Sequence, residues 1–175
     1  VALAIGMAGR VTSLVANARF QEASQLASEF TDLIESIGDP TLTVALMYAA
    51  MAVKRFTGEM AELLQLAERV IELADGDAIK GDLIIGSPLT AAITFRGIAR
   101  CFLGIPGWKE DIDSGVMMAR EFHVTMRALV LLYGYGVGIV GALTFDTAVL
   151  QETAETLEAA ERSGDDFMLT AVQFI

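Results

Sequence analysis

The sequence predicts an all-α protein built as an α-solenoid, a stack of antiparallel helix hairpins with about eight or nine helices. Three observations lead to this prediction. Apolar residues recur at helical spacing in segments of about 14 to 20 residues, and Gly, Asp or Pro interrupts the chain between them. No segment shows the period-two alternation that is typical of a strand. An apolar segment is repeatedly followed by an amphipathic one, as expected when the first helix of each hairpin is enclosed by its neighbours and the second keeps a solvated face.

The first predicted hairpin pairs a helix at residues 3–18 with a second helix at residues 21–37. In the second helix, apolar residues share one face and acids occupy the others. These apolar residues are Ala23, Leu26, Ala27, Phe30, Leu33, Ile34 and Ile37. The break at Gly38-Asp39-Pro40 ends the hairpin, because Gly38 can adopt the left-handed conformation and Pro40 suits the first turn of a new helix.

The second predicted hairpin repeats this pattern, with an apolar helix at residues 41–55 and an amphipathic helix at residues 59–74. Residues 76–86 are rich in glycine and acids, and they predict a long exposed connection. Ser87-Pro88 then predicts an N-cap followed by proline at the first helical position.

Four further helices are predicted before the end of the chain, and a turn at residues 104–107 separates the first two of them. Their predicted ranges are 88–102, 108–122, 124–135 and 145–162. A ninth predicted helix is cut off at Ile175. We expect residues 1–175 to form one domain of a longer chain, since the sequence begins at Val1 without Met and ends in an apolar run.

Composition excludes several classes of function. The net charge of −11 disfavours general electrostatic binding to nucleic acid or to an anionic membrane. One cysteine and one histidine form neither an internal disulfide nor a Cys/His zinc module. We therefore expect a cytoplasmic protein.

The mean hydropathy of +0.52 is high and raises the question of a membrane segment. The longest uncharged stretch runs from Ala128 to Phe145 and just reaches the length of a spanning helix. Its four glycines cost about 1 kcal/mol each in a helix. We therefore predict a buried helix, a glycine-rich turn and the start of another helix rather than a membrane span.

The turns inside the first two hairpins resemble those of tetratricopeptide (TPR) repeats. Arg19-Phe20-Gln21-Glu22-Ala23 is similar to the TPR turn, and Arg55-Phe56-Thr57-Gly58-Glu59-Met60 is a looser copy. The two phenylalanines lie 36 positions apart, close to the TPR period of about 34. The resemblance implies a TPR-like stack of helix hairpins.

Four other stretches resemble the TPR-like region of large actinobacterial regulators. They are Glu35-Ser36-Ile37-Gly38-Asp39-Pro40, Ile71-Glu72-Leu73-Ala74-Asp75-Gly76-Asp77, Arg96-Gly97-Ile98-Ala99-Arg100 and Ala160-Glu161-Arg162-Ser163-Gly164-Asp165-Asp166. In those regulators, a class III adenylate or guanylate cyclase-like domain or a LuxR-type DNA-binding domain flanks an ATPase domain and a helical-repeat region. The resemblance implies that this chain is the repeat region. It supplies no catalytic residue, because the sequence has neither a P-loop nor the metal-binding aspartates of a cyclase in a matching context.

The main alternative is a dinucleotide site. Gly136-x-Gly138-x-x-Gly141 matches the glycine fingerprint of a nucleotide-binding oxidoreductase, and Glu155 follows at about the distance of the ribose-binding acid. That site needs a second strand carrying the acid, whereas Glu155 falls within a predicted helix. A flexible turn between helices is the preferred interpretation.

Other candidate sites also have structural interpretations. Asp111-x-Asp113-x-Gly115 lacks the later ligands of a calcium loop, which favours a solvated helix start. Glu152, Glu155, Glu158 and Glu161 predict a solvent-facing acidic stripe. His123 has no catalytic partner at a suggestive spacing, and Cys101 is expected to be a small buried apolar residue.

Two arginines suggest a binding groove. Arg96 and Arg100 lie one helical turn apart, and residues 88–103 contain no acid to pair with them. We predict that they line a groove for a carboxylate or phosphate together with Tyr48, Arg127 and Tyr133, since all five lie in first helices. The alternative is that both arginines pair with acids of the neighbouring amphipathic helices.

The sequence therefore predicts a non-catalytic module for protein interaction or signal sensing within a multidomain regulator. We expect no cofactor and no metal in this segment, and no direct contact with nucleic acid or membrane. The expected partner is a protein, a peptide or a neighbouring domain of the same chain. A repeat end without a cap also predicts a homodimer.

Overall fold

The computed structural model describes residues 1–83, 86–135, 147–164, 169 and 172. This part of the chain contains eight α-helices and no strand, which confirms the predicted all-α class. The helices are α1 (Ala2–Ala16), α2 (Phe20–Ile37), α3 (Pro40–Thr57), α4 (Met60–Ala74), α5 (Pro88–Leu103), α6 (Trp108–Ala119), α7 (Val124–Tyr135) and α8 (Thr147–Ser163).

Most predicted helix boundaries agree with the structure to within a few residues. The first helix is shorter than predicted and ends at Ala16, and Ala18 then adopts a positive φ of 55°. The sixth helix ends at Ala119 rather than at Phe122, because the backbone N–H of Phe122 donates to the carbonyl of Ala119 in a tighter turn. The ninth predicted helix falls almost wholly outside the described residues.

The predicted caps are present at the starts of α3 and α5. The Asp39 carboxylate accepts from the backbone N–H groups of Thr41 and Leu42, and Pro40 occupies the first turn. Ser87 caps α5 in the same way, with Pro88 in the first turn. Both caps satisfy N–H groups that have no partner within the helix.

The two phenylalanines of the TPR-like turns occupy different positions relative to the helix ends. Phe20 is the first residue of α2, whereas Phe56 lies in the last turn of α3. Their rings stack on each other, with centroids 5.6 Å apart and planes inclined by 20°. They therefore form one contact between neighbouring hairpins rather than two copies of one repeat position.

Helices that are adjacent in sequence pack against each other throughout the described chain. In addition, α1 packs on α3, α3 on α5 and α5 on α7, whereas no two even-numbered helices pack substantially on each other among the eight described. The odd-numbered helices therefore form a continuous layer, and the even-numbered helices flank it.

Burial follows this arrangement. In α3 and α5 most residues are buried, on several sides of the helix. In α2 and α4 a single stripe is buried, at the same spacing in each helix. The stripes are Ala23, Ala27, Phe30 and Ile34 in α2, and Leu63, Ala67, Val70 and Ala74 in α4. The predicted pairing of an apolar helix with an amphipathic one is confirmed for these helices, and their buried residues belong to one core cluster.

The connection between α4 and α5 is packed against α3 over part of its length. Gly81 has a φ of +72°, and a Cβ there would lie 2.7 Å from the backbone nitrogen of Ala45. The Lys80 ammonium donates to the carbonyl of Leu73 at 2.6 Å. Ile79 and Leu83 remain exposed. The predicted exposed connection is therefore only partly exposed in the described residues, because the backbone at Gly81 approaches α3 closely.

The predicted helix within Ala128 to Phe145 is present as part of α7 up to Tyr135, and the remainder lies outside the described residues. None of the helices in the described ranges combines the length and the hydropathy needed to cross a membrane.

Candidate functional site

The structure distributes the five predicted groove residues over three places. Tyr48 and Tyr133 lie in one aromatic cluster. Arg96 and Arg100 pair with α6, and Arg127 pairs with α8.

Arg96 and Arg100 share one buried carboxylate. Arg96 binds Asp111 in a bidentate manner, with Nε 2.9 Å from Oδ2 and a terminal nitrogen 2.6 Å from Oδ1. Arg100 donates to Oδ2 at 3.0 Å and lies 3.7 Å from the carboxylate of Glu68. Asp111 is 6% exposed, whereas each arginine side chain is 24% exposed. The two arginines thus pair with acids of α4 and α6, as the alternative interpretation predicted.

Close contact between α5 and α6 positions this ion pair. A Cβ at Gly97 would lie 2.9 Å from the carbonyl oxygen of Trp108 and 2.9 Å from the side chain of Ile112. Glycine at this position lets the first turn of α6 approach α5 and brings Asp111 under the arginines. The prediction of a solvated helix start is therefore wrong for Asp111, because cations of α5 draw it into the interface.

A second buried carboxylate joins α6, α7 and α8. Glu152 is 4% exposed and accepts from Arg120 at 2.8 Å and from Arg127 at 3.0 Å. Glu155, Glu158 and Glu161 are exposed, as the predicted acidic stripe requires. The stripe is wrong only for Glu152, since a residue spacing of three rotates this position towards α7.

A third interior cation lies where α2, α3 and α4 meet. The Lys54 ammonium is 2.5 Å from the carboxylates of both Glu59 and Glu62, and it also contacts Ser24. Burial opposes ionisation of Glu59, but hydrogen bonds from Lys54, Ser24 and Thr57 outweigh this effect and lower the pKa of Glu59 to about 2. Both carboxylates therefore remain charged in neutral solution, which keeps the buried ammonium neutralised.

An aromatic cluster runs across the odd-numbered helices. Phe95 of α5 is 1% exposed and lies 5.9 Å from the Tyr48 ring and 5.2 Å from the Tyr133 ring, measured between centroids. Tyr133 also meets Phe56 edge-on at 6.4 Å, and Phe56 stacks on Phe20. We call these five residues the aromatic row. Burial, followed by the electrostatic effect of Tyr133, raises the pKa of Tyr48 well above its ordinary value.

The aromatic row encloses almost no free space. The cavity between α3, α5 and α7 has a volume of about 10 Å³, and its lining includes Tyr48, Phe95 and Tyr133. This volume accommodates about one water molecule. A ligand of this region therefore has to bind at its surface, where Phe56 is 43% exposed.

Arg55 lies against the aromatic row, and the sequence analysis did not include it among the groove residues. Its guanidinium carbon is 4.9 Å from the centroid of Tyr133 and 5.3 Å from that of Phe56, which is cation–π geometry. From the sequence, Glu59 lies four positions ahead and is the expected partner of Arg55. In the structure α3 ends at Thr57, and Glu59 pairs instead with Lys54. The turn that contains Arg55 was the available signal, but it was interpreted only as a repeat motif.

The remaining motifs have structural roles in the described residues. No group of three potential metal ligands occurs there, so the Asp111 motif forms no calcium site in that part of the chain. His123 is exposed, and its Nδ1 accepts from the backbone N–H of Thr125 at the start of α7. Cys101 is half-buried, and burial raises the pKa of its thiol. The Gly136-x-Gly138-x-x-Gly141 motif lies outside the described residues, and Glu155 lies within α8.

Searches against protein-family models, curated proteins and solved structures found no match. The functional argument therefore depends on the geometry of the described residues.

Proposed function

We propose that this chain is a TPR-like helical-repeat module that binds a protein or peptide partner, or a neighbouring domain, within a multidomain signalling regulator. It carries out no catalysis of its own, and the output domain of the regulator is a cyclase or ATPase type or a DNA-binding domain. The resemblance of the hairpin turns and of the four further stretches supports this proposal.

One structural observation carries the proposal. The odd-numbered helices pack in series, so side chains from α3, α5 and α7 meet on one continuous face. Phe56 and Tyr133 are in contact there although they come from helices on either side of α5. Repeat proteins present extended surfaces of this kind to their partners, and partly exposed aromatic residues are frequent energetic centres of interfaces.

A related observation supports the repeat character. In three successive hairpins, a cation of the first helix pairs with an acid at or near the start of the second. The pairs are Lys54 with Glu59 and Glu62, Arg96 and Arg100 with Asp111, and Arg127 with Glu152. Each hairpin therefore has its own electrostatic link, as expected for repeated units.

Selection of a random 12-residue peptide library against the immobilised protein tests the proposal. We expect enriched peptides with dissociation constants in the micromolar range, at about −8 kcal/mol, measured by fluorescence anisotropy. Phe56→Ala should weaken their binding. Phe102→Ala is a matched control, because Phe102 is also the next-to-last residue of its helix and is 51% exposed. A failure to enrich any peptide, or equal loss with both variants, would contradict the proposal.

A further inference from the structure

Arg55 differs from the other cations that lie inside the helix packing. Lys54, Arg96, Arg100 and Arg127 each contact at least one buried or half-buried carboxylate. Arg55 is half-buried as well, yet no carboxylate of the described residues forms an ion pair with it. A protein with 23 acids and 12 basic residues has ample means to neutralise one arginine. The exception therefore marks a position where the chain leaves a cation available.

The donors of Arg55 are unsatisfied. Its Nε is enclosed and has no hydrogen-bond acceptor, whereas its two terminal nitrogens, which also have no partner in the described residues, are not enclosed. Burial lowers the pKa of Arg55, and the two groups that oppose this lowering are the hydroxyls of Tyr133 and Tyr48. Arginine remains charged under all ordinary conditions. The structure thus holds a partly desolvated positive charge against two tyrosines.

The aromatic rings orient this charge without neutralising it. A guanidinium group that lies over the faces of Tyr133 and Phe56 is attracted by the rings, but its N–H donors point along its own plane. That edge matches the two oxygens of a carboxylate. The exposed part of the Phe56 ring lies beside it and offers apolar surface to a neighbouring side chain.

Size and charge limit the kind of ligand. The cavity beneath the rings has a volume of about 10 Å³, which leaves no room for a buried small molecule. The net charge of −11 repels polyanions such as nucleic acid. A short peptide segment with a single carboxylate beside an apolar side chain satisfies both limits.

We propose that Arg55, Phe56 and Tyr133 form the docking site for an acidic residue of a partner peptide, with an adjacent apolar side chain of the peptide packed on Phe56. This inference rests on the proposed interaction function and specifies the chemistry of the partner. Arg55 supplies the carboxylate contact, and the two rings hold the guanidinium in place.

The peptides enriched in the selection test this inference. We expect them to share one Asp or Glu next to an apolar residue, and replacement of that acid by its amide should weaken binding to the unmodified protein at least about tenfold, or about 1.4 kcal/mol. Arg55→Gln should weaken binding by a similar factor, and Arg55→Lys by less, because lysine keeps the charge but loses the planar edge. Arg162→Gln is the matched control, since Arg162 is also an arginine in the last turn of its helix.

Two results would overturn the inference, and they differ in what they say about the proposed function. If peptides are enriched but bind equally well after the acid is replaced by its amide and to Arg55→Gln, the acidic site is refuted and the interaction function stands. If no peptide is enriched, both fail. The peptide substitution leaves the protein unaltered, so it gives an answer even if an Arg55 variant folds poorly.

Discussion

Replacement of Asp111 by asparagine tests the central ion pair between α5 and α6. The substitution keeps the size of the side chain but removes its charge, and it places an amide donor opposite the donors of Arg96 and Arg100. Loss of one partner from a buried ion pair costs about 3–5 kcal/mol. Each arginine side chain is 24% exposed, so water compensates in part. We expect the free energy of unfolding to fall by about 2–4 kcal/mol, which corresponds to a decrease in Tm of roughly 5–15 °C for a chain of this size.

Urea unfolding followed by far-UV circular dichroism measures this change. The fluorescence of Trp108, the only tryptophan in the sequence, gives a second signal from the start of α6. Asp113→Asn is the matched control, because Asp113 pairs with Lys109 on the surface and both side chains are more than half exposed. Its expected effect is below about 1 kcal/mol. Equal stability of the two variants would refute the conclusion that Asp111 is a buried partner of two arginines.

Three further predictions concern helix contacts and pH. Gly97→Ala should destabilise the protein by about 1–3 kcal/mol in urea unfolding, because its Cβ overlaps the first turn of α6; Gly9→Ala, in open space on α1, should instead stabilise it by about 0.5–1 kcal/mol, and the same sign for both would contradict the packing. Because the pKa of Glu59 is lowered from 4.5 to about 2 in the folded protein, its contribution to stability is present above pH 4.5 and is lost as the pH falls towards 2. Urea midpoints measured across this range should therefore fall less steeply for Glu59→Gln, and unchanged steepness would show that the Lys54 contact does not hold the carboxylate. Glu152→Gln should accelerate amide hydrogen exchange in α8 but not in α3, since α7 is the only described helix on which α8 packs substantially; equal protection of α8 in both proteins would show that Glu152 does not anchor it.

Local signals made much of the fold predictable from the sequence. The apolar stripe of α2, the caps at Asp39 and Ser87 and the proline at position 40 each act within one helix turn, so a single sequence is sufficient to recognise them. The boundaries at residues 16 and 119 were less predictable, because a turn can tighten without any change in the apolar pattern.

The ion pairs were much less predictable because they depend on tertiary contacts. Arg96 and Asp111 are fifteen positions apart and meet only because α6 approaches α5 at Gly97. The sequence showed that Arg96 had no local partner, but it did not show which acid would turn inward. Arg55 illustrates the opposite case, since its nearest acid in sequence is occupied by Lys54 once the helix ends.

The close approach of Gly81 to α3 has a consequence for how the chain tolerates cutting. The connection after α4 has the composition of an interdomain linker, yet α3 and α4 both pack on α5 beyond it. Cleavage of the backbone within this connection would therefore leave two pieces that share a single apolar core rather than two separate bodies. The pieces should remain associated without a covalent link, so the connection is better suited to receive an inserted loop or a new pair of termini than to mark the end of an independently folding unit.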